Sequence, residues 1–151
     1  MKFPFKTVAL IGKYKTPEIT EPLLRLAAFL YGQDVSVVVD SLTAEHLKQH
    51  DYSVMALDAM GERVDLAIVL GGDGTMLNIA RTLAPLGVPL VGVNQGRLGF
   101  LTDISLDTMQ QTIAAMLGGN FVTEQRMLLS TCILRDGAEV FNSLAFNEVV
   151  L

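Results

Sequence analysis

An open, mainly parallel α/β sheet with helices on both faces, followed by the first strands of a second, all-β domain, is the fold this sequence predicts. Three observations carry it. Up to Gly119, short apolar runs rich in β-branched residues alternate with segments of helical period, the pattern of strands joined by crossover helices. The run from Val64 to Leu70 is apolar enough to lie buried on both faces, as a strand inside a parallel sheet does. Beyond Gly119 no helical pattern returns, and Asp136-Gly137 is a hairpin turn signal. The expected domains are 1–119, α/β, and 120–151, the beginning of a β-rich unit.

Taken in order, Thr7 to Ile11 reads as a first buried strand ended by Gly12, with Lys13 and Lys15 just past its carboxyl end. Those two lysines are either solvated loop cations or attractors for phosphate. Thr16 or Thr20 caps the next helix, with Pro17 or Pro22 in its first turn. Leu23, Leu24, Ala27 and Leu30 give that helix an apolar stripe, and Gly32 ends it. Val35 and Val37–Val39 make a second strand. Leu42 to Gln49 reads as a short helix, and His46 and His50 stand four apart, a spacing that sets two imidazoles on one helical face. The glutamate of a catalytic zinc helix is missing and no third ligand stands out, so both are read as surface histidines and no metal ligand is assigned. Asp51 to Glu62 has no clear period and reads as a loop.

After the Val64–Leu70 strand a helix is expected from Thr75 to about Leu83, then a turn at Pro85 and Gly87 and a strand from Val88 to Val93. A second glycine-bearing loop, Asn94 to Asp103, follows. Ser105 is expected to cap a helix striped by Leu106, Met109, Ile113, Met116 and Leu117 and stopped at Gly118-Gly119. Leu128 to Leu134 and Val140 to Leu151 then read as strands. The chain stops inside an apolar run, so the β unit reads as truncated or as completed elsewhere, because a strand pair of this size is not stable alone.

The 151 residues are 50% hydrophobic and 18% charged, enough for one sizeable core, with a net charge of −5. That balance argues against a general nucleic-acid or anionic-membrane binder. Cys132 is the only cysteine, which excludes an intrachain disulfide framework and reads as a small buried apolar residue. The first residues lack the apolar core of a signal peptide and no run is long enough to span a bilayer, so a cytoplasmic protein is expected.

Chemistry concentrates at Gly71-Gly72-Asp73-Gly74-Thr75, between strand and helix. Such a turn places a ligand at the carboxyl edge of an open α/β sheet. Glycines clear side chains from the path of a ligand, and the first amides of the helix welcome an anion. Asp73 is the odd member, since a carboxylate repels phosphate unless it binds a metal or takes a proton. The plainer reading is a tight turn with Asp73 as N-cap; three glycines around one acid favour a phosphate cradle with a built-in base. The turn is neither a Walker A loop nor a dinucleotide fingerprint. Asn147-Glu148 interrupts an apolar run, either at a bulge or turn or facing a cleft, where such a pair can bind a ribose diol.

Three motifs in order, Gly71-Gly72-Asp73-Gly74-Thr75, Asn94-Gln95-Gly96-Arg97-Leu98-Gly99-Phe100-Leu101 and Asn147-Glu148, resemble the bacterial NAD kinase family. The first is shared with lipid kinases and phosphofructokinases; the other two are more specific. The resemblance implies transfer of the γ-phosphoryl of ATP to the 2′-hydroxyl of the adenosine ribose of NAD, giving NADP. It implies Asp73 as general base, Gly72, Gly74 and Thr75 lining the nucleotide and phosphate site, Phe100 lining the NAD pocket, and Asn147 with Glu148 on the ribose side. A divalent ion, usually Mg²⁺, would arrive largely on the ATP phosphates. A large β-rich second domain would complete the NAD site and mediate homo-oligomerisation, so this chain alone is expected to be weak or inactive and to fold poorly or self-associate. The competing expectations are another Gly-Gly-Asp-Gly kinase acting on a lipid or sugar alcohol, and a non-catalytic nucleotide-binding module in which Asp73 is structural.

Overall fold

The structure, a computed structural model, describes residues 5–47 and 50–146. The chain divides into two compact units, Met1–Phe121 and Val122–Leu151.

The first unit is built on six strands: β1 (Thr7–Gly12), β2 (Ser36–Asp40), β3 (Ser53–Met55), β4 (Leu66–Gly71), β5 (Leu90–Asn94) and β6 (Ile104–Ser105). They lie in the order β3-β2-β1-β4-β5-β6, each neighbouring pair parallel. Side chains alternate across a strand, so a sheet covered on both sides needs apolar residues at every position. In β1, Val8 and Leu10 enter one core while Ala9 and Ile11 enter the other. In β4, Leu66, Ile68 and Leu70 face the first core, and Ala67 and Val69 face the second. Helices α1 (Thr20–Tyr31) and α4 (Met109–Leu117) close the first core through Leu23, Leu26, Leu30, Met109, Ile113 and Leu117. Helix α3 (Asp73–Leu83) closes the second through Met76, Ile79 and Leu83. The expected open parallel sheet with helices on both faces is therefore the fold observed.

Between β1 and β4 the connections leave in opposite directions, β1 toward β2 over one face and β4 toward β5 over the other. The crevice at that reversal, outside the carboxyl ends of both strands, is where open α/β sheets take ligands.

Several local expectations are corrected. The segment read as a loop contains β3, three residues on the sheet edge, and two short 3-10 turns. Helix α2 covers only Ser41–Ala44, because the Asp40 side chain caps it by accepting from the Thr43 amide at 3.0 Å and the chain leaves the helix at Glu45. His46 and His50 therefore share no helical face; His46 is exposed, and the His50 ring stacks on Tyr52 at 6.1 Å. Neither Thr16 nor Thr20 caps α1 through its side chain; Pro17 instead starts a 3-10 turn before it. Ser105 ends β6, and its hydroxyl accepts from the Thr108 amide at 3.3 Å, so α4 begins at Met109. Among the described residues no helix is long and apolar enough to cross a membrane.

The second unit is a hairpin of β7 (Leu129–Arg135) and β8 (Ala138–Ala145), antiparallel, with a register shift between Ile133 and Leu134. Its turn residues have positive φ, 52° at Asp136 and 79° at Gly137, as the turn that matches strand twist requires. Cys132 is exposed on β7, not buried as expected; most side chains of the hairpin are exposed. Asn147 and Glu148 lie outside the described residues.

Candidate functional site

At the end of β4 the backbone extends through Gly72 (φ −108°, ψ −176°), and α3 starts at Asp73, two residues earlier than expected. The three glycines serve different needs. A Cβ on Gly71 would stand 2.7 Å from Thr75 Oγ1, so glycine there lets the Thr75 side chain fold back over the strand end. Around Gly72 and Gly74 a Cβ would meet nothing within 4 Å, because these two line an open cleft. Among the described residues no side chain caps α3, which leaves its first-turn amides open to a ligand at the positive end of the helix dipole.

Asp73 is not the N-cap. Its carboxylate leaves its own helix and holds the loop after β5. Oδ2 accepts from the Phe100 amide at 2.8 Å. Oδ1 accepts from the amides of Leu101 at 3.0 Å and Thr102 at 3.1 Å, and from the Thr102 hydroxyl at 2.9 Å. Thr102, 0% exposed, in turn accepts through Oγ1 from Asn94 Nδ2 at 2.7 Å, and Asn94 Oδ1 accepts from the Gly96 amide at 2.7 Å. A Cβ on Gly99 would overlap the Asp73 carboxylate, and one on Gly92 would stand 2.7 Å from the Leu101 carbonyl. Both glycines exist to let this loop close on Asp73 and β5.

Burial alone would lift the Asp73 carboxyl. Its hydrogen bonds from Phe100, Leu101 and Thr102 outweigh that and hold it below the ordinary carboxylate range. A carboxylate offers about four lone-pair sites over its two oxygens. Oδ1 is filled by three donors and Oδ2 has one, so Oδ2 retains room for one hydroxyl donor.

On the opposite side of the turn, Lys13, Tyr14, Gly72, Gly74, Thr75 and Asn78 line a cleft of about 380 Å³ at the β1/β4 reversal. Gly72, Gly74 and Thr75 thus meet Lys13 across the crevice, while Lys15 is not among the lining residues. Phe100 reaches Asp73 through its amide; its ring is 97% exposed. Among the described residues no group of three or more His, Cys, Asp or Glu is placed to hold a metal ion. Three participants escaped the sequence reading: Asn94, Thr102 and Asn78. Asn94 opened a quoted motif as a polar residue at the end of an apolar strand, a signal that was available; Thr102 stands one residue beyond that motif, and Asn78 looks like any solvent-facing helix position.

Comparison with known proteins gives this geometry a context. The family described as the ATP-NAD kinase N-terminal domain matches residues 8–121. The NAD kinase of Nitrosomonas eutropha is 60% identical over 147 residues, covering 97% of this chain and 50% of that protein. The NAD kinase of Nitrosospira multiformis is 54% identical over 151 residues, covering 100% and 51%. The chain thus spans about half the length of the curated relatives it matches. The structure of yeast NADH kinase complexed with NADH superposes with a TM-score of 0.79 at 22% identity, over 95% of this chain and 47% of that one. An NAD kinase from Archaeoglobus fulgidus in complex with ATP gives a TM-score of 0.55 at 22% identity, over 88% and 45%. At that identity the two solved structures speak for the fold.

Proposed function

The chain belongs to the ATP-NAD kinase family, and from that premise we propose that its whole protein transfers the γ-phosphoryl group of ATP to the 2′-hydroxyl of the adenosine ribose of NAD, giving NADP. The observation that carries this reading is Asp73, a carboxylate fixed at the first position of α3 with one acceptor site left on Oδ2. Phosphoryl transfer asks a protein for positioning, charge neutralisation and a group that orients the nucleophile. The Gly72–Thr75 turn supplies uncapped amides for phosphate oxygens. Asp73 Oδ2 accepts the hydroxyl hydrogen, the ribose oxygen bonds to the γ-phosphorus, the bond to the leaving ADP oxygen breaks, and the proton ends on Asp73. A carboxyl held below its ordinary range is a weak base. It therefore serves first as an orienting acceptor and takes the proton late.

Within the same proposal Phe100 lines the NAD pocket, and Asn147 with Glu148 binds the ribose side. A divalent ion such as Mg²⁺ neutralises the phosphate charge. Among the described residues lining the cleft there is no carboxylate, so the chain fits an ion carried in on the ATP phosphates better than one held in a protein cage. A cytoplasmic homo-oligomer completes the reading. The filling of Asp73 Oδ1 favours one alternative: a nucleotide-binding module in which Asp73 only holds the loop.

The test is NADP formation from NAD and Mg-ATP by this chain and by a version extended to the length of its relatives. The extended protein is expected to turn over, and this chain alone to show little or no activity. No NADP from the extended protein would overturn the proposal.

A further inference from the structure

The cleft wall facing the glycine turn is built with unusual care for a loop. At the end of β2, Asp40 is 1% exposed and accepts through Oδ2 from both the amide and the hydroxyl of Thr43, each at 3.0 Å. Thr43 Oγ1 accepts in turn from the Gly12 amide at 3.0 Å. The next amide, that of Lys13, donates to the Leu70 carbonyl at 2.9 Å, one residue before the glycine turn. The backbone at Gly12 and Lys13 is therefore stitched to α2 on one side and to β4 on the other. Tyr14 packs on the second core, where burial and the neighbouring Asp40 carboxylate push its phenol up to about 12, so it stays neutral.

On the other wall, Asn78 lies four residues beyond Gly74 on the same face of α3. Arg81 Nη2 donates to Asn78 Oδ1 at 2.8 Å. A guanidinium can only donate, so this contact fixes the amide: the oxygen turns to Arg81 and the NH₂ is left for an acceptor. Gly74 and Asn78 are about 6 Å apart along the helix axis, room for more than one phosphate. The cleft thus combines an ammonium, an oriented amide NH₂ and the first-turn amides of α3. Among the described residues no carboxylate lines it, in a chain whose net charge is −5.

We propose that Lys13 and Asn78 are a phosphate clamp that grips the polyphosphate chain of the phosphoryl donor against the glycine turn, with Thr43 and Arg81 as positioning residues for the clamp. This rests on the kinase reading for its reaction but not for its ligand chemistry. The clamp recognises consecutive phosphates, so a nucleoside triphosphate and an inorganic polyphosphate both satisfy it.

The experiment uses the protein at its full natural length and inorganic tripolyphosphate as the probe, with ATP as the second arm. Lys13 and Asn78 are exposed, so Lys13→Met and Asn78→Leu are compatible with folding, checked by unchanged thermal unfolding. Each is expected to weaken tripolyphosphate binding and to raise the KM for ATP roughly tenfold or more, with the KM for NAD within about twofold. Lys13→Arg should recover most of the loss, and Arg81→Met, which frees the Asn78 amide to turn, should give a smaller shift in the same direction. Tripolyphosphate binding within twofold of the parent in both Lys13→Met and Asn78→Leu overturns the clamp. If the unsubstituted protein forms no NADP and these variants still lose tripolyphosphate, the kinase reading falls and the clamp stands. If NADP forms and the variants are silent, the reverse holds. A tripolyphosphate effect without an ATP effect assigns the cleft to inorganic chains.

Discussion

The two sides of the Gly71–Thr75 turn are built on opposite principles. Toward the loop after β5, the polar groups satisfy one another: the Asp73 carboxylate accepts four hydrogen bonds, and Asn94 and Thr102 complete the network behind it. Toward the β1/β4 crevice, the groups are donors with no acceptor recorded among the described residues: the first-turn amides of α3, the Lys13 ammonium and the Asn78 amide, whose oxygen is taken by Arg81. Groups paired inside the fold set geometry, because breaking any of them strands a partner. Donors left open select an anion. The same five-residue turn therefore contributes a rigid side and a receptive side, and substitutions can be aimed at one without the other.

The largest effect is expected from Asp73→Asn, which strikes the paired side. Asparagine keeps the shape but replaces one acceptor oxygen with an NH₂ facing the amides of Phe100, Leu101 and Thr102. Stability should fall by about 1–3 kcal/mol, and turnover of the full-length protein by roughly 10²–10⁴, with NAD binding largely retained. Thermal unfolding and the split between kcat and the KM for NAD separate the roles. Turnover lost in a folded variant that still binds NAD marks the reacting carboxylate; turnover that falls only as far as the fold is lost marks a structural one. The pH dependence sharpens this. The folded pKa of Asp73 lies below its ordinary 3.8, so its contribution to stability is fully present above that value and is lost as pH falls through the folded value. The parent should therefore converge on the variant in acid; a constant difference across that range would place the carboxylate outside the network.

Next in size is Gly99→Ala. Gly99 does not have a positive φ, so the demand there is for space: a Cβ would overlap the Asp73 carboxylate. The overpacking should cost about 1–3 kcal/mol and lower kcat by displacing the same carboxylate. Combined with Asp73→Asn, the two losses should be less than additive, since they break one network. Full additivity in thermal unfolding would show that Gly99 and Asp73 act apart.

How much of this was legible beforehand follows from where the information sits. The parallel sheet was readable because a strand covered on both faces must be apolar at every position, and Leu66–Leu70 is. The hairpin was readable because its turn needs two residues with positive φ, and Asp136-Gly137 supplies them. Strand β3 was not, since three edge residues are too few to show an alternation. The length of α2 was missed because its Asp40 cap stands at the end of a strand, where a carboxylate reads as exposed. The site was half legible. Both motifs were visible, but the bonds between them run from Asp73 to backbone amides 27 to 29 residues away, and a backbone amide has no signature in sequence. Lys13 was placed at the correct edge by strand order alone; the direction of the Asn78 amide depends on Arg81, a contact the spacing permits but does not require.

The smallest effect on the fold, and the cleanest division between the two sides, belongs to Gly74→Ala. Gly74 sits in the first turn of α3 without a positive φ, and a Cβ there meets nothing within 4 Å. Alanine is better than glycine inside a helix by roughly 0.5–1 kcal/mol, so the variant should unfold at a slightly higher temperature than the parent. The added methyl nevertheless projects into the cleft, between the first-turn amides and any phosphate that approaches them. ATP should bind several-fold more weakly while the network around Asp73 stays intact. Stability and function then move in opposite directions at one atom, which a glycine kept for folding cannot produce. If Gly74→Ala raised stability and left the KM for ATP unchanged, the receptive side would lie elsewhere than the crevice between β1 and β4.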